Sequence, residues 1–374
     1  MEFRERRDFV VIGGGLVGAS IAWGLARAGV KPLVLDEGDL ALRASRANFA
    51  LVFMQGKGLG FPAYAIACKT AAERWPRFAA ELEAETGIDV ALRQLGGFSF
   101  CMSQAEMDQQ GVARERIARE TGGRAAKYQV LTRQETRERL PGIGASVAGS
   151  IFCAQDGHVN ALRVFYALHK AMAARGCEYR AEHKVQSIEP TAEGFSIKGD
   201  WGEVQAGKVI LAAGIANERL APMVGLASPL KRDKGQVLVT EKCAPFFPYG
   251  SATICQGDEG GIKLGSSTEA LSESILTNQS LTAVIARRAI QVFPRLAALN
   301  VVRTWTGFRV MPLDGFPIYD QSASAPGAFV ASCHSGLGLA PNHAFELAPQ
   351  ILAGRLEAGF IAFTAGRFCV LQAH

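Results

Sequence analysis

The stretch Val11-Ile-Gly13-Gly-Gly15-Leu-Val-Gly18 decides how this 374-residue chain is read. An apolar run over 9–12 leads into it, small and apolar residues follow to 28, and Gly29 stops them. A second apolar run over 31–35 ends at Asp36. The pattern predicts strand, helix and strand in one βαβ unit. Gly13 permits the tight turn, Gly15 lets the backbone approach a pyrophosphate, and Gly18 lets the helix pack on the strand. Leu16 and Val17 open the helix, whose free N–H groups and positive dipole end favour phosphate. Asp36, 18 positions past Gly18 and followed by Glu37, is placed to accept hydrogen bonds from a ribose diol.

Outward from this unit, a polar irregular stretch over 38–62 is long for a simple connection and reads as a ligand-binding segment. Within it, Arg43-Ala44-Ser45-Arg-Ala-Asn48-Phe49-Ala50 supplies small and hydroxyl residues. These let backbone amides reach a second phosphate and a ribityl chain, which a flavin dinucleotide requires and a nicotinamide one does not. Two further elements follow in order. Residues 204–214 form an apolar run closing on Ala213-Gly214, and Cys333-His334-Ser-Gly336-Leu337-Gly338-Leu339-Ala-Pro341 is a glycine turn entering a helix. Backbone N–H groups of that last turn suit the flavin pyrimidine ring and would stabilise the anionic reduced form. Three such elements make FAD the expected cofactor.

The periodicity predicts helices over 63–86 (kinked at Pro76), 104–121, 132–140, 161–175, 277–293 and 342–356. Strands are expected over 90–102, 149–153, 209–214, 301–310 and 328–332, with a meander between 179 and 205. The nucleotide-binding elements lie at both ends and in the middle. The fold class is therefore α/β, a Rossmann-like FAD-binding domain over 1–88, 145–228 and 306–374. An α+β substrate domain with antiparallel sheets, over 89–144 and 229–305, is inserted into it.

Composition closes off other classes. Forty basic against 35 acidic residues give a net charge of +5 without a clustered basic face, which argues against nucleic-acid binding. Eight cysteines without a CxxC pair read as reduced core residues, and no metal site is expected. No apolar stretch reaches the roughly 18 residues of a membrane-spanning helix. The N-terminus runs into a strand without an apolar signal core, so a cytoplasmic protein is expected.

With these motifs in place, the sequence resembles the D-amino acid oxidase superfamily of FAD-dependent oxidoreductases, in the glycine and sarcosine oxidase branch, over nearly its whole length. Residues 44–52, Gln55-Gly-Lys57-Gly58 and Trp305-Thr-Gly307-Phe-Arg309-Val-Met-Pro-Leu-Asp-Gly315-Phe-Pro-Ile318 are most similar to β subunits of heteromeric dehydrogenases acting on opines, hydroxyproline or proline, and to a hydrogen cyanide synthase subunit. Such relatives often carry glycine where this chain has Ala47 and Ala50, so a positive φ there would strain alanine. The resemblance implies that Val185 and Gly307 join the cofactor-binding set and that Arg309 grips the substrate carboxylate. A bidentate guanidinium would fix the Cα–H over flavin N5; the alternative for Arg309 is a structural salt bridge.

His334 is the second catalytic candidate, against a role as a merely hydrogen-bonded turn residue. His158 reads as turn chemistry, and Lys57 as either flavin-facing or solvated. Thr253 falls where glycine oxidases place a carboxylate-binding tyrosine. Sarcosine oxidases tether flavin through a cysteine just before the segment matching 310–318. No cysteine occurs between 256 and 332, so non-covalent FAD is expected.

The expected activity is dehydrogenation of a small amino or imino acid. The chain would be the β subunit of a complex whose partners carry iron–sulfur, FMN or another acceptor. A stand-alone oxidase of glycine, sarcosine or a D-amino acid is the alternative.

Overall fold

The computed structural model describes residues 5–38, 44–270 and 276–370. At its centre is the Arg6–Ile12 strand, with Val10 and Val11 fully buried. A strand apolar on both faces belongs inside a parallel sheet covered on both sides. It pairs in parallel with Leu33–Leu35 and with Gly202–Leu211. Glu178–Arg180 extends the sheet on one side. Ala328–Ser332 and the antiparallel edge strand Ile318–Gln321 extend it on the other. The expected meander is there too: Ser187–Thr191 and Gly194–Gly199 run antiparallel off the Gly202–Leu211 strand.

The Leu16–Arg27, Pro62–Thr86 and Ala161–Ala174 helices cover one face of this sheet. Their shared core includes fully buried Trp23, Trp75 and Phe78, with the Trp23 and Phe78 rings edge-on at 5.3 Å. The long helix continues through Pro76 to Thr86.

A second layer is antiparallel. Leu230–Thr240 pairs along its length with Val301–Pro312, setting Asp233 opposite Arg309 and Gly235 opposite Gly307. Ile262–Gly265 and Ile254–Gln256 continue this sheet. A neighbouring four-stranded sheet contains Gly97–Cys101, Gln129–Thr132, Gly149–Cys153 and Gly250–Ser251. Phe98, Phe100, Leu238, Phe247 and Phe293 form the core between these sheets.

Several expectations shift. The strand expected over 31–35 is Leu33–Leu35, because Pro32 has no N–H to give the ladder. Of 90–102 only Gly97–Cys101 is regular strand; Arg93 makes a lone bridge to His158. Gly149–Cys153, grouped by sequence with the FAD-binding part, pairs instead with Gly97–Cys101 and Gln129–Thr132. A strand's sheet is chosen by its partners, which local sequence does not show. The helix expected over 342–356 is interrupted by a π turn at His343–Leu347 between Ala340–Asn342 and Ala348–Ala353, and ends at Gly354 in the left-handed region. No helix among the described residues is long and apolar enough to cross a membrane.

Candidate functional site

The glycine turns, the 44–49 segment and the antiparallel layer open onto one cavity of about 1850 Å³. Ligand pockets usually span about 300–1,000 Å³, so this one has room for a dinucleotide and a second molecule. It is lined by Gly13, Gly15, Leu16, Val17, Asp36, Glu37, Ala44, Ser45, Asn48, Phe49, Val185, Ala213, Gly214, Gly307, Arg309, His334, Gly336, Leu337 and Gly338. Elements distant in sequence therefore meet at one cavity. Three candidates stand behind the wall instead. Gly18 packs where a Cβ would lie 1.8 Å from the Gly13 carbonyl oxygen, and Ala50 and Leu339 are buried. Arg43 lies outside the described residues.

The nucleotide end is built from backbone. Gly15 precedes the Leu16–Arg27 helix with no side-chain cap, and the Leu16 N–H donates to Ser45 Oγ at 2.9 Å. A Cβ on Gly15 would lie 2.9 Å from that oxygen, so only glycine keeps the cradle open. Asp36 accepts from the Gly14 N–H (2.6 Å) and the Gly38 N–H (3.0 Å), which aims its carboxylate along the glycine turn. His169, unmarked by any sequence motif, donates from Nε2 to the Gly14 carbonyl at 2.8 Å. Burial holds its pKa low, so the ring is a neutral brace.

One buried amide ties the two later turns together. Asn217 Oδ1 accepts from the Ala213 N–H, while its Nδ2 donates to Leu211 O, Ala331 O and Ser332 Oγ. Gly214 at φ +60° and the start of the 333–338 turn are thereby fixed to each other. Gly307 answers a packing demand, since a Cβ there would meet Ala47 Cβ at 2.4 Å. Ala50 adopts φ +73°, the strained conformation anticipated for alanine, held by its N–H donating to Asn48 Oδ1 at 2.5 Å. Ala47 is not in the left-handed region.

The other end is built from charged side chains. Arg309 lies across Gly235, where a Cβ would meet its Nη2 at 2.5 Å. It pairs with Asp233 at 3.2 Å and donates to Ser267 O (2.9 Å) and Ser266 Oγ (3.0 Å). Both readings of Arg309 are thus visible: it lines the cavity and it is ion-paired. Lys57 Nζ donates to Ser335 Oγ at 2.8 Å, and that oxygen also meets Tyr64 Oη at 2.7 Å. His334 is exposed to the cavity, yet the surrounding protein and the Lys57 and Arg309 cations push its pKa well down. A neutral imidazole results, able to accept a hydrogen bond. Thr253 is not a lining residue, whereas Ala252 is.

Near Lys57 three polar side chains are buried, Gln55 from the 55–58 motif together with Arg114 and Asp156, which sequence reasoning missed. Asp156 Oδ1 accepts from the Met54 N–H at 2.6 Å, and burial raises its carboxyl to about 7. No motif signals Arg114 or Asp156. Their only sequence sign is polar chemistry at positions that the fold buries.

A family model, FAD dependent oxidoreductase (DAO), matches residues 8–348, and the chain belongs to that family. It is 55% identical over 366 residues to the opine oxidase B subunit of Rhizobium meliloti, covering 98% of this chain and 99% of that one. Against the opine oxidase B subunit of Agrobacterium tumefaciens (strain Ach5) the identity is 56% over 366 residues, again covering 98% and 99%. Among solved structures, glycine oxidase from Geobacillus kaustophilus superposes with a TM-score of 0.88 at 23% identity, covering 96% of this chain and 98% of that one. The chain is an FAD-dependent oxidoreductase, and the glycine cradle fits that cofactor. Cys333, the thiol in the last turn, is buried and pushed up to about 12, far from a reactive thiolate. FAD is held non-covalently.

Proposed function

We propose that the chain dehydrogenates a small amino or imino acid of the opine, proline or D-hydroxyproline class, opines foremost. In this reading it is the β subunit of a heteromeric complex. The observation that carries the reading is the meeting of Arg309 with the 333–338 glycine turn in one cavity. The full-length similarity to the opine oxidase B subunits supports the substrate class and the role within a complex.

When bound, FAD supplies the acceptor for the hydride leaving Cα. The chain's residues do the rest. Arg309 holds the substrate carboxylate, sharing its guanidinium with Asp233, so the Cα–H is presented in one orientation. Burial, with the Lys57 and Arg309 cations, keeps His334 neutral, and a neutral imidazole accepts the amine N–H without forming a competing cation. Binding the amine deprotonated removes the need for a strong base, and no Ser/His/Asp or Cys/His set is required. Partner subunits would take the electrons onward through iron–sulfur or FMN groups.

The test offers opines, proline and D-hydroxyproline to the FAD-loaded chain with an artificial dye. Dye reduction with little hydrogen peroxide is the expected result. Peroxide equal to substrate consumed by the isolated chain would make it a stand-alone oxidase of the glycine or sarcosine type. No turnover of any amino or imino acid would end the reading.

A further inference from the structure

The Arg114 side chain is an oddity in the cavity wall. It comes from the Gln104–Glu120 helix, is 4% exposed, and lines the same cavity as Arg309. A buried guanidinium loses its hydration, and one left without a counter-charge is strongly unfavourable. Burial does pull its pKa down. Its contacts do not repay that loss: Nη1 donates to the Gln110 carbonyl at 3.0 Å and to Gln110 Oε1, and the Tyr128 ring centroid lies 5.6 Å away. Nε has no hydrogen-bond partner. Asp156 acts on Arg114 through the protein but makes no ion pair with it among the described residues, and its own Oδ2 is unpartnered.

The loop above leaves the guanidinium open to the cavity. An added Cβ on Gly56 would stand 3.7 Å from Arg114 Nη2, with φ +71° also disfavouring any side chain there. Gln55, beside it, donates to Gly97 O at 2.8 Å while its Oε1 is buried without a partner. Arg114 and Gln55 therefore line the cavity with hydrogen-bonding capacity unspent, and the fully buried Asp156 carboxyl keeps an unpartnered oxygen as well. Buried polar atoms in this state are rare unless a ligand or water completes them.

We infer that Arg114 is the recognition site for the second carboxylate that an opine carries across the nitrogen from the reacting Cα and that a simple amino acid lacks. This rests on the proposed amino-acid dehydrogenase function and narrows it. Arg309 takes the carboxylate beside the reacting Cα, and Arg114 takes the one on the far side of the nitrogen. Asp156, raised to about 7, can be protonated so that it does not oppose the incoming anion.

The test titrates the flavin absorbance of the FAD-loaded chain with N-(1-carboxyethyl)-alanine and with N-isopropylalanine, in which a methyl replaces the second carboxylate. The wild type should bind the dicarboxylate at least about tenfold more tightly, the worth of one charged hydrogen-bond contact. Arg114→Gln should erase that preference while leaving N-isopropylalanine within about twofold, and Arg114→Lys should restore part of it. Equal weakening of both ligands, or an unaltered preference in Arg114→Gln, overturns the assignment. If Arg114→Gln does not fold, Arg114→Lys decides: a reduced preference supports the assignment, and one equal to wild type overturns it. Binding of both ligands without discrimination sinks Arg114 alone, whereas binding of neither sinks the dehydrogenase reading with it.

Discussion

The two ends of the cavity are made of different material. At the nucleotide end the ligand-facing surface is mostly backbone: the turn at 13–15, the turn at 213–214 and the turn at 336–338 offer peptide groups, Asp36 adds a carboxylate, and His169 braces the first turn from behind. At the far end the surface is side chain: Lys57, Arg114, Arg309 and His334 reach in from a loop, a helix, a strand and a turn. A backbone site tolerates one residue type and so writes itself into the sequence. A side-chain site tolerates many placements and is settled only by the fold.

The sharpest way to break this contrast is at Gly18. Its added Cβ would lie 1.8 Å from the Gly13 carbonyl oxygen, with no flexible neighbour to yield. Gly18→Val is expected to abolish FAD retention, read as the flavin-to-protein absorbance ratio; a variant that purifies fully yellow would show the glycine turn is not the anchor.

Arg309→Ala tests the other end. The FAD content should stay at the wild-type level while kcat/KM falls on the order of 100-fold, from losing a bidentate charged contact of about 1.5–3 kcal/mol. Unchanged turnover would leave Arg309 as the structural partner of Asp233 only.

Asp156 offers a pH test. Burial raises its carboxyl from 3.8 to about 7, so between those values the folded chain keeps a proton that the unfolded chain has released. This contribution is fully present below about pH 4 and is lost as pH rises through 7, on the order of a few kcal/mol. Asp156→Asn should flatten that decline in denaturant midpoints between pH 5 and 8. Parallel curves for the two proteins would mean Asp156 ionises normally.

Ala50→Gly should do least. Relief of an alanine at φ +73° is worth about 1–2 kcal/mol, and the extra freedom of glycine in the unfolded chain offsets about 0.5–1 of it. A midpoint shift of only a few degrees, with FAD retained, is expected; loss of flavin would show that the alanine methyl shapes the loop.

The same contrast explains what the sequence disclosed. The βαβ unit, the later glycine turns and their convergence were legible because each rests on a local rule of backbone geometry. Arg309 came from family resemblance, and its ion pair with Asp233 from strand register, which no local pattern encodes. Arg114 and Asp156 had no signature, since an arginine on a polar helix and an aspartate before a glycine look like surface residues until the layers close over them. Gly149–Cys153 was misplaced for a related reason: five residues state that they form a strand, but only the neighbours at 97–101 and 129–132 state which one they join.

The Asn217 amide has a practical corollary. One side chain holds the ends of two neighbouring strands through four hydrogen bonds, all to protein groups and none needing a bound nucleotide. Protein stripped of its yellow colour should therefore remain a standing mould rather than a collapsed chain. It should refill at a rate set by diffusion into the cleft, without waiting for refolding, and accept flavins altered in the ring as readily as the natural one.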